Sequence, residues 1–149
     1  IAVERHSRRT ADIYESVGKG NSMRYFNFAH VDASLKADGK TNLFCGGERA
    51  GAMVGHTEAI VSGSLAGHNA ARAANGLAPV ILPETTAIGE FIGYVVKQML
   101  DAETRNKKYT FSGSVYFERM QAKNLYSTDD DAIKARVEAA GCTYIFSNL

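Results

Sequence analysis

Tryptophan is absent from the chain, and cysteine and proline are scarce, with two of each. The missing tryptophan excludes nothing. Cys45 and Cys142 lie far apart and lack metal-ligand spacing, which argues against a disulfide-stapled secreted scaffold and a cysteine-rich zinc module. No charge of one sign predominates, because 17 Lys and Arg face 16 Asp and Glu for a net charge of +1. That removes any global electrostatic argument for nucleic acid and leaves only a local patch open. No apolar run approaches the ~20 residues of a membrane-spanning helix, so no membrane partner is expected. Internal repeats and low-complexity tracts are missing too. What is present is 149 residues of which 45% are hydrophobic, enough for one compact domain or a piece of a larger one, and too apolar for wholesale disorder. The chain opens on Ile1-Ala2-Val3-Glu4, without Met and without a charged-then-apolar leader. It is therefore read as a fragment of a longer polypeptide, not as a secreted precursor.

Patterning then divides the chain. Arg5, His6, Arg8 and Arg9 form a basic cluster that suits either a solvated face or a phosphate or RNA contact. Residues 23–36 alternate as short extended segments, Asp38-Gly39 marks a turn, and Asn42-Leu43-Phe44-Cys45 reads as a buried strand stopped by Gly46-Gly47. From Thr57 to about Asn75 the period is helical, with Ala59, Ser62, Gly63, Ala66, Gly67 and Ala70 on one small-residue face. Two glycines cost about 1 kcal/mol each there, so tight packing against a sheet or another helix is expected. Pro79 and Pro83 break the connector, and a second helix with an apolar stripe from Ile88 to Met99 is predicted over 84–104. Tyr109 to Phe117 reads as a hairpin or an irregular aromatic loop. Asp129-Asp130-Asp131 opens a third helix that Gly141 stops, and Cys142 to Phe146 reads as a strand. Alternating strand and helix predict an α/β fold in which 42–75 forms one edge of a nucleotide-binding sheet.

The stretch 42–72 carries the chemistry. Gly46, Gly47, Gly51 and Gly55 fall within ten residues of one another, ahead of a helix whose first free N–H groups lie near Gly55, His56, Thr57 and Glu58. Such a terminus binds anions, phosphate most often. Glu48, just past the strand, is placed to accept hydrogen bonds from sugar-type hydroxyls. The pattern is neither the dinucleotide fingerprint nor the Walker loop. By spacing alone, a tight structural turn before a close-packed helix explains it about as well.

These residues resemble the late FAD-binding segment of the tRNA-modifying flavoproteins related to glucose-inhibited division protein A, especially the folate-dependent tRNA uracil-5-methyltransferase branch. Phe44-Cys45-Gly46-Gly47-Glu48, Gly55-His56-Thr57-Glu58 and Ser62-Gly63-Ser64-Leu65-Ala66-Gly67-His68-Asn69-Ala70-Ala71-Arg72 stand in the places of that family's strand end, loop and small-residue helix. Leu82-Pro83-Glu84-Thr85-Thr86-Ala87-Ile88-Gly89 resembles the segment that follows in the methyltransferase branch. The resemblance covers roughly residues 40–96. Glu48 stands where the family has Gln, and His56 where it has Tyr.

The resemblance implies a Rossmann-like FAD-binding domain whose C-terminal part is residues 1–76, followed by a helical extension over 77–149. It implies FAD as cofactor, with Gly46 among the binding residues, Gly47 and Glu48 near the ribityl chain, and Gly55, His56 and Thr57 near the pyrophosphate or flavin edge. The upstream part of the same polypeptide would supply the other half of the grip, so the isolated fragment is expected to be inactive and to hold FAD weakly. tRNA is the implied substrate and the cytoplasm the implied compartment. Members of the family use cysteine thiolates, yet Cys45 and Cys142 both sit in apolar runs and are read as core residues. No catalytic residue and no metal site is assigned. Two other readings stand beside this one: a flavoprotein of the same fold acting on a small molecule, which the Glu48 and His56 departures favour, and a non-catalytic interaction module or homo-oligomer built on the glycine helix.

Overall fold

The computed structural model describes residues 29–51, 53–105, 107–112 and 114–147. The basic cluster at 5–9 and the aromatic run Tyr25-Phe26-Asn27-Phe28 lie outside the described residues. In chain order a short 3-10 helix, Gly47–Ala50, is followed by four α-helices: α1 His56–Ala74, α2 Ala87–Gln98, α3 Ser114–Ala122 and α4 Asp130–Ala139.

Strand pairing among the described residues is confined to three isolated bridges: Val31 with Ala37, Lys36 with Phe44, and Met53 with Tyr109. The α/β layering predicted from the alternation is thus not formed here, and the described residues are helix-rich with almost no strand. Phe44 and Cys45 pair only with the preceding turn, where Cys45 N donates to Leu35 O at 2.9 Å. Residues 142–146 form successive turns instead of the expected strand, with Ile145 N donating to Cys142 O and Ser147 N to Tyr144 O. Over 109–117, read as a hairpin or an aromatic loop, the structure has the bridge at Tyr109 and the start of α3. The Val-Tyr-Phe run has β propensity, but Tyr116 and Met120, four residues apart, are both buried, and that shared burial favours helix.

Helix α1 matches its expectation closely. It ends where Leu77 N donates to Arg72 O and Gly76 N to Ala73 O, the paired bonds of a glycine-terminated helix. Helix α2 is shorter at both ends than the predicted 84–104. Thr86 caps it by accepting from Gly89 N at 3.1 Å while its hydroxyl donates to Pro83 O at 2.8 Å, so Glu84 and Thr85 belong to the turn before it. At the other end the Thr104 hydroxyl donates to Gln98 O, and Asp101 accepts from Glu103 N. These side chains take over the backbone groups that a longer helix would have used.

The core draws on both halves of the chain. Leu35, Met53 and Leu65 pack with Phe91, Val95, Tyr116 and Met120. Its aromatic centre is Phe91, whose ring lies 4.5 Å from Phe111 and 4.8 Å from Tyr116. Leu35 is fully buried with φ 66°, a left-handed conformation costing about 1 kcal/mol or more. It is held by the Asp32 carboxylate, which accepts from the Ser34 and Lys36 amides.

Candidate functional site

The glycine-rich loop folds back along the first turns of α1. Ser62 fixes it: its hydroxyl donates to Glu58 O at 2.6 Å and accepts from Gly47 N at 2.7 Å. Gly46 lies against the helix backbone, and a Cβ there would stand 2.8 Å from Gly63 Cα, closer than real side chains pack. The absence of a side chain at Gly46 therefore lets the loop lie directly against the helix backbone. Part of the bareness read as access for a ligand is thus used by the chain's own packing. The outward face of the same helix is open, because a Cβ at Gly63 or Gly67 would meet nothing within 4 Å.

The remaining candidates lie at the exposed edge of this assembly. Glu48, in the 3-10 helix, is exposed, as are His56 and Thr57 in the first turn of α1. Gly55 precedes them with φ 127° and no side-chain cap. Among the described residues no acceptor meets the N–H groups of His56, Thr57 or Glu58. Backbone donors at a helix start with an uncapped glycine before them can meet a ligand oxygen, and Gly55, His56 and Thr57 stand at that place. The Gly47 N–H is held by Ser62.

Glu58 adds a feature the sequence reading did not assign. It is buried, and its Oε1 accepts from Phe111 N at 2.5 Å. The other oxygen lies where a Cβ on Gly55 would be. A carboxylate at a helix N-terminus is favoured by the helix dipole. Here it also anchors the 109–112 segment to the candidate site.

Two family-like motifs prove to be structural clamps. Asn69 is fully buried. Its Nδ2 donates to Ser34 O and Val80 O, and its Oδ1 accepts from Val80 N at 2.7 Å, which ties the 32–37 turn and the connector to α1. In the Leu82 to Gly89 stretch, Thr86 caps α2, and Gly89 leaves room for the carbonyl groups of Leu82 and Pro83.

A buried charge was also missed. Glu90 is 1% exposed. Its Oε1 accepts from Arg119 Nε at 2.8 Å and Nη2 at 2.6 Å and lies 3.0 Å from Lys123 Nζ. Its Oε2 lies 2.9 Å from the Tyr116 hydroxyl. Burial pushes the carboxyl up, but the hydrogen bonds from Arg119, Lys123 and Tyr116 outweigh it and hold Glu90 below the usual range. Arg119 also stacks on Tyr94, 4.3 Å above the ring. The available signal was a glutamate inside the apolar stripe of α2, with two cations four residues apart on a later segment.

Cys45 and Cys142 are both half-buried free thiols. Burial raises the Cys45 thiol, and nearby Arg49 offsets this only in part. His30 and His56 are exposed, whereas His68 is buried under the edge of Phe146. Among the described residues no three His, Cys, Asp or Glu side chains gather as metal ligands, and no helix is long and apolar enough to cross a membrane.

Comparison with known proteins bears out the resemblance. The family model for glucose inhibited division protein A matches residues 11–78. A methylenetetrahydrofolate–tRNA-(uracil-5-)-methyltransferase TrmFO of Thermosynechococcus vestitus is 44% identical over 65 residues, which is 44% of this chain and 14% of that protein. The enzyme of the same name from Lacticaseibacillus paracasei is 45% identical over 56 residues, 38% of this chain and 12% of its own length. A Bacillus cereus relative is 33% identical over 100 residues, 66% of this chain and 20% of its length. The chain thus spans a fifth or less of these relatives, and over that span it is like these tRNA methyltransferases. No solved structure matches it.

Proposed function

We propose that this chain forms part of the FAD site of an enzyme that modifies tRNA uridine, of the folate-dependent methyltransferase kind. Residues 1–76 belong to a Rossmann-like FAD-binding domain, and 77–149 form its helical extension. The upstream part of the same polypeptide completes both the sheet and the cofactor grip. The observation that carries this reading is the use made of the family-like motif. Ser62 holds the Gly46–Ala50 loop on α1, with Gly46 against the helix backbone, while Glu48, His56 and Thr57 stand exposed beside uncapped first-turn amides.

When bound, FAD supplies the redox chemistry, and the protein supplies placement and electrostatics. The Glu58 carboxylate bears on which part of the cofactor meets α1. Two like charges ~5 Å apart cost about 3 kcal/mol at an effective dielectric of about 20. That disfavours the doubly charged pyrophosphate beside Glu58 and favours the neutral flavin edge at Gly55 to Thr57.

The test is made on the natural full-length polypeptide, purified and examined for a flavin spectrum and for bound tRNA. Retained flavin, together with tRNA that is released as salt rises, supports the proposal. Flavin without tRNA points to a small-molecule substrate. A colourless protein overturns the flavoenzyme reading. His56→Pro sharpens the result, because proline fits the first helical position yet removes both an N–H and the imidazole. Flavin content should fall while the helix persists.

A further inference from the structure

We infer that residues 129–147 form a strap that lifts from the body as a unit while α1, α2 and α3 stay folded, uncovering an apolar groove. The strap is well made internally. Asp129 caps α4 by accepting from Asp131 N and Ala132 N, and the helix closes with Cys142 N donating to Val137 O. Its attachment is a different matter. No residue of α4 is buried, whereas α2 buries Glu90, Phe91, Ile92 and Val95.

Beneath the strap lie gaps. An open groove of about 530 Å³ is lined by Ile133 and Val137 together with Phe117, Met120 and Leu125. A second of about 250 Å³ is lined by Cys142 and Ile145 together with Ile60 and Val61 of α1. Val137, Thr86 and Ile88 border both cavities, so the strap rests on a narrow ridge with unfilled space on either side. Unfilled apolar space forfeits contact energy, and an element with few buried contacts opens below the global unfolding threshold.

Besides Cys142 and Ile145, which are half-buried against the core, two latches hold it. Arg136 donates from Nη1 to Leu125 O at 2.6 Å and from Nη2 to Asn124 O at 2.8 Å, the carbonyls just beyond α3. Phe146 packs edge-on against His68, with ring centroids 5.2 Å apart. The His68 Nε2 has no hydrogen-bond partner, so this second latch is aromatic contact alone. Most polar side chains bordering the larger cavity are engaged elsewhere: Thr86 in its cap, Ser112 with Thr110, Ser127 with Asp129 N, and Arg136 with its two carbonyls. Apart from these and the Tyr126 hydroxyl, the lining is apolar.

The test is amide hydrogen exchange read by mass spectrometry on the natural full-length polypeptide, with wild type, Arg136→Ala and Phe146→Ala compared. In wild type, peptides from 130–139 should exchange at least tenfold faster than those from α2. Each substitution should speed exchange in 130–147 by about tenfold more and leave α1 and α2 unchanged. Equal protection of α4 and α2 in wild type overturns the inference, and that measurement needs no variant. So does a substitution that speeds α1, α2 and α4 together, because the segment then opens only with the whole fold.

Discussion

Replacing Glu90 with Gln isolates the charge of the buried network. Gln keeps an oxygen to accept from Arg119 and Lys123. Its amide can donate to the Tyr116 hydroxyl, which in turn donates to Ala87 O at 2.8 Å. Shape and hydrogen-bond count are preserved, and only the negative charge is lost. Hydrogen bonds to charged groups contribute about 1.5–3 kcal/mol and neutral ones about 1. Three cationic donor contacts would thus lose a few kcal/mol between them. Arg119 and Lys123 are 35% and 40% exposed, so water recovers much of that loss. The expected destabilisation is about 1–2 kcal/mol at neutral pH, read from the urea midpoint of the folded chain at constant slope. The sign with pH follows from the lowered carboxyl. The contribution is fully present above the unfolded value near 4.3 and is lost as pH falls through the lower folded value. The gap between wild type and Glu90→Gln should therefore narrow in acid. A variant as stable as wild type at neutral pH, or a gap that widens on acidification, would refute the reasoning.

Asn69→Ala strips three hydrogen bonds from a fully buried site. It should cost about 3 kcal/mol or more in a urea titration, whereas an exposed-site loss would be near zero. Gly46→Ala should destabilise by forcing the loop away from Gly63, while Gly67→Ala should stabilise this chain by about 1 kcal/mol because its Cβ meets open space. A destabilising Gly67→Ala would show that another element covers that face of α1. Tyr109 is pushed up to about 12, first by burial and then by the neighbouring Tyr94. Its raised value means that stability falls as pH climbs from about 10 to about 12, and Tyr109→Phe should flatten that decline in alkaline denaturation curves.

Local patterning foretold the parts of this protein that local physics controls. The small-residue period gave α1, the glycines at 76 and 141 gave helix ends, and the three aspartates gave the start of α4, because caps and periodicity act within a few residues. The run Ser62 to Asn69 was also legible as the most specific feature of the chain. Sequence alone did not reveal why those residues stand there. Ser62 holds Gly47, the helix backbone at Gly63 lies against Gly46, and Asn69 reaches Ser34 and Val80, all through partners that periodicity does not encode. Strand assignments at 42–45 and 142–146 failed for a related reason, since a strand exists only by pairing and the described residues offer each segment little or no partner. Tertiary packing likewise turned 114–122 into helix, where Tyr116 and Met120 share one buried face and Arg119 and Lys123 converge on Glu90. Contacts between residues distant in the chain decided these points, because burial and charge pairing depend on what lies across the fold and not on what lies alongside in sequence.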